Sequence, residues 1–440
     1  MWAHRVMLTA PSRQIRTTAY NQRITVALPG GFSSCYLISM EVQGTNFNVM
    51  VDSGSTDLTI PLAGLNNYDG PTIDTPRPLG GKNLSASYGD SSGWTGYGFQ
   101  GSASISGTNI TANNTPIIGM FQQTTNPVFT SGSTTSQGLL GIAYPVFASY
   151  NVAPATAVDA WFAAGAIPKN EIAFHACPYS LSSQSYIDFG NTQPTYACSS
   201  NGVPVVWAYS PVRSYFTLDI RSISINSSPV SLPSTFQTVS GYRKWSLIDS
   251  CTSVLMVPKV VVSSLLAAVR SSGGIPSDLA ASSYYSDFLN GNVGVIPNNA
   301  FHWEKLPTLS FDITSDQMTT VGSKNATFRI TLGPKQYIQP DDNGYYSMII
   351  KPGGDLNAIL GVPFFTNLNV VLDRDQGRVG FSLGCGCDTA TDGYPTIQNA
   401  SGTIWKASGA VSSDGRSAHA MDSTFLVVTI SIVFALVFTL

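Results

Sequence analysis

The sequence predicts a mainly β protein built as two related lobes, and three observations carry that expectation. Apolar and polar residues alternate in "YGFQGSASISGTNIT", "SYFTLDIRSISINSSPVSL" and "ATFRITLGPKQYI", the period-two pattern of half-buried strands. The chain's 40 glycines and 26 prolines punctuate such segments and leave little room for long helices. An aspartate loop is also written twice. "VMVDSGSTDLTIP" (Val49 to Pro61) and "SLIDSCTSVLMVP" (Ser246 to Pro258) share an apolar run, Asp, Ser, a small residue, two hydroxyl residues, Leu and Pro.

Taken in order, residues 1–32 form an N-terminal extension, a possible remnant of a prosegment. "MWAHRVMLTAPSRQIRTT" lacks the apolar core of a signal peptide, so a leader is expected upstream of Met1. The first lobe is expected over 33–200 and the second over 201–390, with the boundary inside "YACSSNGVPVVW". "GLLGIAYPVF" closes the first half and "AILGVPFFTNLNVVLD" the second, each with two apolar residues and a Gly in a buried strand. Such duplication implies two lobes facing each other across a cleft. Short helices are expected around Ala155 to Ile167 and Pro258 to Gly274, the second ending in a Gly pair suited to a C-cap.

Residues 391–424 read as a polar spacer and 425–440 as a hydrophobic tail, "FLVVTISIVFALVFTL". The tail is shorter than the roughly 20 residues that span a bilayer. Small residues at Ser413, Asp414 and Gly415, a spacer and a terminal apolar run match a glycolipid-anchor signal, with a short tail anchor as the alternative. Sequons begin at Asn83, Asn109, Asn113, Asn226, Asn325 and Asn399. With charged residues at only 11%, they favour the secretory pathway and a cell-surface or extracellular, lipid-anchored monomer. A net charge of -3 offers no basic patch for nucleic acid. Six cysteines suit an oxidised domain with two or three bridges, and connectivity is not readable from spacing. Cys385-Gly-Cys387 lacks tetrahedral metal-site spacing and no cofactor is implied.

Each repeated aspartate ends a strongly apolar run, where a carboxylate is costly without partners or a task. Two such loops meeting between lobes bring two carboxylates together. Like charges at that distance share one proton, and their apparent pKa values separate. One Asp then activates water while the other protonates a carbonyl oxygen, which hydrolyses a peptide bond without a covalent intermediate.

Over roughly Ser33 to Asp388 the chain resembles the pepsin family of aspartic proteases. "VDSGSTDLTIP", "SYGDSSGWTG", "QGLLGIAYP" and "AILGVPFFTNLNVVLDRDQGRVGFS" carry the resemblance. It implies a bilobal pepsin-like fold and an aspartic endopeptidase acting on peptides or proteins, at acid pH, with Asp52 and Asp249 as the catalytic dyad. Ser55 and Thr252 would bond the outer carboxylate oxygens, Ser53 and Ser250 would grip the opposite lobe, and Gly54 and Cys251 would complete the loops. Tyr88 would sit on a flap that closes over substrate. Asp373, Arg374, Gly380 and Phe381 match the family's closing strands. The tail and the wording of the second loop lean toward membrane-tethered members such as yapsins or β-secretase, and similarity to the latter implies that Cys177 pairs with Cys385 or Cys387. The local alternative is Cys177 with Cys198.

Two departures stand out: Cys251 replaces the family's Gly, and Thr59 stands where many members have a Trp supporting the flap tyrosine. Cys251 raises a second reading, a pepsin-fold protein that binds but does not cleave. "GDSSG" at Gly89 to Gly93 also fits the G-x-S-x-G pattern of serine hydrolases. That pattern needs a strand before it and a helix after it, and a strand-like stretch follows instead.

Overall fold

The computed structural model describes residues 4–6, 26, 28, 35–74, 76, 78, 80–130, 136–149, 152–178, 184–190, 192, 205–238, 244–276, 288, 300–316, 326–340, 345–384 and 392–406. Strands dominate, as the alternating pattern predicts. A seven-stranded sheet gathers Leu37–Val42, Thr45–Asp52, Leu58–Pro61, Leu84–Ser87, Gly93–Ile105, Thr111–Gln123 and Gly138–Gly141. Leu37–Val42 pairs with both Thr45–Asp52 and Gly93–Ile105, so the sheet turns back on itself.

The written repeat is a repeated topology. In the first half, Thr45–Asp52 runs parallel to Gly138–Gly141, which lies antiparallel to Leu58–Pro61. That strand in turn runs parallel to Thr111–Gln123. In the second half, Ser246–Ile248 runs parallel to Ile359–Leu360, which lies antiparallel to Leu255–Val257, itself parallel to Ile350–Pro352. Val49, Val51 and Ile248 are buried and Met50 and Leu247 half-buried, which explains why the residues before each aspartate are so apolar.

One glycine in each half makes this arrangement possible. A Cβ on Gly141 would lie 2.4 Å from Thr56 backbone atoms, and one on Gly361 would lie 2.1 Å from the Thr252 carbonyl. Neither neighbour can yield, because both are backbone of the aspartate loops. The "apolar-apolar-Gly" words of the sequence are therefore the places where a second strand slides under each loop.

A six-stranded sheet draws on both halves, with Glu171–His175 and Tyr186–Phe189 from the first beside Leu368–Asp373, Arg378–Leu383 and Val206–Tyr209 from the second, and with His4–Val6 of the N-terminal extension as its edge strand on Tyr186–Phe189. The expected boundary inside "YACSSNGVPVVW" falls largely outside the described residues. The halves belong to one compact unit, and Arg374 is one of the groups that join them. Its side chain is buried and donates to Asp159 Oδ1 (2.7 Å), Asn170 Oδ1 (2.8 Å) and the Ala143 carbonyl (3.0 Å).

Among the described residues the two expected helices form with tighter bounds, and two short helices, Pro334–Tyr337 and Val362–Phe365, interrupt stretches read as strand, each with a proline in its first turn. Ala157–Ala163 starts at Thr156, whose hydroxyl accepts from the Asp159 amide. Lys259–Ser271 follows Pro258 and buries Val261, Val262, Leu265 and Val269. It ends just before Gly273, whose φ of 68° suits a helix terminus. Beyond the second half, Thr396–Gln398 and Ile404–Lys406 form a hairpin that extends the sheet containing Thr327–Leu332. Among the described residues no helix is long and apolar enough to cross a membrane; the tail at 425–440 and the spacer residues 407–424 lie outside them.

Removing Arg374 strands the half-buried Asp159 carboxylate and one backbone carbonyl of the other half. Arg374→Ala is expected to destabilise the protein by about 3 kcal/mol, read as a lower urea midpoint, whereas loss of an exposed ion pair would shift it by well under about 1 kcal/mol.

Candidate active site

Asp52 ends the strand Thr45–Asp52, and Asp249 follows the strand Ser246–Ile248. Both loops return to their own strand layer: the Ile142 amide donates to the Asp52 carbonyl (2.9 Å), and the Asp249 amide donates to the Leu360 carbonyl (3.1 Å). Ser53 and Ser250 then tie the halves together reciprocally. The Ser53 amide donates to Ser250 Oγ (3.0 Å) and the Ser250 amide to Ser53 Oγ (2.9 Å). Each hydroxyl donates in turn to the other half's backbone, Ser53 to Ile248 O (3.0 Å) and Ser250 to Val51 O (2.8 Å). All four bonds are buried, so losing either hydroxyl orphans partners on both sides.

Each carboxylate is held within its own loop as well. The Gly54 amide donates to Asp52 Oδ1 (2.7 Å) and the Cys251 amide to Asp249 Oδ1 (2.9 Å). Thr252 Oγ1 donates to Asp249 Oδ2 (2.8 Å). Ser55 lies beside Asp52 and favours its ionised form, though its buried hydroxyl does not complete a hydrogen bond of good geometry. A Cβ on Gly54 would sit 2.9 to 3.1 Å from the Asp249 carboxylate. The first loop therefore has room for no side chain at this position, and the two aspartates are near neighbours.

That proximity governs their protonation. Burial first, and the Asp249 charge second, push Asp52 up to about 7. Asp52 is only 6% exposed, while Asp249 is partly open to solvent. Burial therefore favours Asp52 as the holder of a shared proton.

Tyr88 occupies the turn between the strands Leu84–Ser87 and Gly93–Ile105. Its amide donates to Ser92 O (2.8 Å), and Asp90 Oδ1 accepts from both the amide and the hydroxyl of Ser92. "GDSSG" is thus the tip of a β-hairpin, which excludes the strand-turn-helix of a serine-hydrolase nucleophile. The Tyr88 hydroxyl accepts from Trp94 Nε1 (2.9 Å). Trp94 sits in a small apolar cluster with Leu65, Ile118, Met120, Phe129 and Leu139, against which Met50 and Tyr88 pack. Trp94 supplies the indole donor that Thr59 cannot. The sequence did carry a signal for it, a Trp just past the flap glycine.

Cys251 is not a small free side chain. It is disulfide-bonded to Cys35, with the two Cα atoms 4.8 Å apart. Cys35 lies two residues before the start of the strand Leu37–Val42 and was not picked out by sequence reasoning. The Cys251 Sγ lies against Met50 and is bonded to Cys35, whereas a side chain at Gly54 would meet the other aspartate. Cys177 is also disulfide-bonded; its expected partners Cys385 and Cys387, and the alternative Cys198, lie outside the described residues. Among the sequons, Asn83, Asn109, Asn113 and Asn226 are exposed and Asn399 is partly exposed at a hairpin turn, while Asn325 lies outside the described residues. Among the described residues no cluster suits a metal ion.

A family model described as eukaryotic aspartyl protease matches residues 36–383. The match spans both aspartate loops, the flap hairpin and the closing strands. No curated protein matches the sequence.

The protonation of Asp52 has a measurable consequence for stability. Its folded pKa lies above the ordinary carboxylate value of about 4, so the folded state binds more protons than the unfolded state across that window. The stabilisation is complete in acid below about 4 and is lost as the pH rises toward about 7. The melting temperature should fall over this interval. Asp52→Asn should flatten the slope, and equal slopes in the two proteins would rule out Asp52 as the group responsible.

Proposed function

Because the chain belongs to the eukaryotic aspartyl protease family, we propose that it is an aspartic endopeptidase in which Asp52 and Asp249 activate water against a peptide bond. One observation carries this reading: two aspartates from topologically equivalent loops lie side by side, gripped across the halves, with one of them raised far above the ordinary range. Such a pair holds one proton and one negative charge over a broad pH interval. The charged carboxylate takes a proton from water as it attacks the carbonyl carbon, and the protonated one donates to the carbonyl oxygen. Tyr88, propped by Trp94, closes the site from above and excludes water that does not take part.

The disulfide weakens the case for a binder that does not cleave. The Cys251 amide still donates to Asp249, and Thr252 and Ser250 keep their bonds. The residue that departs from the family thus leaves the carboxylate's partners intact.

Exposed sequon asparagines support passage through the secretory pathway, where the Cys35–Cys251 bond persists. The tail 425–440 is then read as a lipid-anchor signal. Phosphoinositide-specific phospholipase should release the protein from cells. Retention in membranes of a protein still carrying Phe425 to Leu440 would instead establish a tail anchor.

Asp52→Asn and Asp249→Asn preserve side-chain shape but cannot cycle a proton. Each should lower peptide hydrolysis by at least about a thousandfold while the circular dichroism spectrum is unchanged, and a statine-type transition-state analogue should inhibit the wild type in acid. Wild-type rates in either variant would overturn the assignment.

A further inference from the structure

The serine grip ties the Asp249 loop to the first half by hydrogen bonds, and a covalent bond ties it there as well. Ser250 reaches Val51, at the end of Asp52's own strand. One residue further on, Cys251 is covalently joined to Cys35. Cys35 is itself anchored to the same strand layer: the adjoining Tyr36 carbonyl accepts from the Val51 amide (3.0 Å), and Leu37 pairs with Met50. Cys35 Sγ lies 3.1 Å from the Cys251 carbonyl oxygen, and Cys251 Sγ lies 3.8 Å from Met50 Sδ. Met50 also packs on the apolar cluster beneath the flap. The S–S bond therefore spans from the layer that carries Asp52 to the loop that carries Asp249, beside the amide that holds Asp249 Oδ1.

We propose that Cys35 and Cys251 are positioning residues of the aspartate pair: their disulfide fixes the Asp249 loop against the other half, and the full rate of hydrolysis requires that bond to be intact. The inference rests on the endopeptidase reading for its activity readout, though not for its structural one. In the first loop no such strut is possible, because a side chain at Gly54 would strike Asp249. In the second loop the space beside Met50 admits one. Both cysteines are partly exposed, so a small dithiol can reach them.

Reduction is a balanced exchange. Dithiothreitol supplies two electrons and two protons, its two thiols close to a cyclic disulfide, and the Cys35–Cys251 S–S bond becomes two thiols. The freed loop keeps its serine bonds but loses the covalent limit on how far Asp249 moves from Asp52. Displacements on the order of 1 Å cost about a hundredfold in rate. The effect should fall on kcat more than on KM, because the loop presents a reacting group rather than a remote contact.

The test compares the full-length wild type with Cys35→Ser/Cys251→Gly, which restores the family's glycine and removes the partner thiol. Each is treated with dithiothreitol above neutral pH and quenched in acid, where the thiols are protonated and exchange stops. Hydrolysis of a reference peptide is then measured, with an alkylated aliquot mapped by mass to identify the reduced cysteines. Wild-type kcat should fall by about ten- to a hundredfold as Cys35 and Cys251 become alkylatable, and should recover on reoxidation. The double variant should start from the lower kcat, show a displaced acid limb in its pH profile, and ignore dithiothreitol. Full activity in wild type with both cysteines reduced overturns the proposal. So does an equal loss in the double variant, which would trace the effect to the bond at Cys177. Calorimetric binding of a statine inhibitor separates this proposal from the endopeptidase reading. If the wild type cleaves nothing but its inhibitor affinity drops at least about tenfold on reduction, the positioning role stands and hydrolysis falls; equal affinity in the two redox states overturns the positioning role.

Discussion

Two carboxylates held within reach of each other in a buried place repel unless one of them keeps a proton and both backbones are fixed. The architecture around Asp52 and Asp249 answers both demands. Burial of Asp52 supplies the first. The second falls to the loops, which cannot drift apart because Ser53 and Ser250 trade four buried hydrogen bonds with each other and with Val51 and Ile248. Those two carbonyls belong to residues at the ends of apolar strands, locked by parallel partners in each half. The sheets, the small glycines beneath the loops and the cross-half grip are thus parts of one solution to a like-charge problem. Arg374 does the same work farther out, joining the closing strands to the helix start at Thr156 and to Asn170.

The two loops look interchangeable in sequence, yet their surroundings break the symmetry. Gly54 faces the opposite carboxylate, so its missing Cβ is a steric requirement. Cys251 faces Met50 and the start of the first-half sheet, where a sulfur fits. Burial differs as well, with Asp52 enclosed and Asp249 partly open. A duplicated motif therefore gives two chemically distinct carboxylates, as acid-base work by a pair requires.

Much of this was legible in the sequence because its causes are local. Period-two alternation marked the strands, and the repeated words marked the two aspartate loops and the glycines that admit a strand beneath each. Ser53, Ser250 and Thr252 were named through the resemblance to the pepsin family, for bonds that the structure contains. What escaped were one disulfide between distant residues and one bond within the flap hairpin. The Cys35–Cys251 pairing joins positions 216 apart, and nothing in either residue's neighbourhood points to the other. Disulfide inference from a relative directed attention to Cys177 instead. Trp94 was passed over because the expected partner of Tyr88 was sought in the first loop, whereas the hairpin supplies it six residues further along its own chain. Substituting Thr for Trp at position 59 reads as loss only until the strand geometry shows where the donor has moved.

That relocation and the disulfide have a common logic. Thr59 brings no aromatic prop, and the two residues its strand pairs it with, Ile118 and Leu139, belong to the cluster of Trp94 and Met120, with Met50 on its border. Met50 touches this cluster and the sulfur of Cys251. One side chain thus lies between the flap's support and the strut on the Asp249 loop. Cys251 and Met50 are both half-buried, so this sulfur contact lies at the edge of the packed interior. The Cys251 amide meanwhile holds the Asp249 carboxylate. One residue thus touches the aspartate pair through its backbone and the border of the flap's support through its side chain.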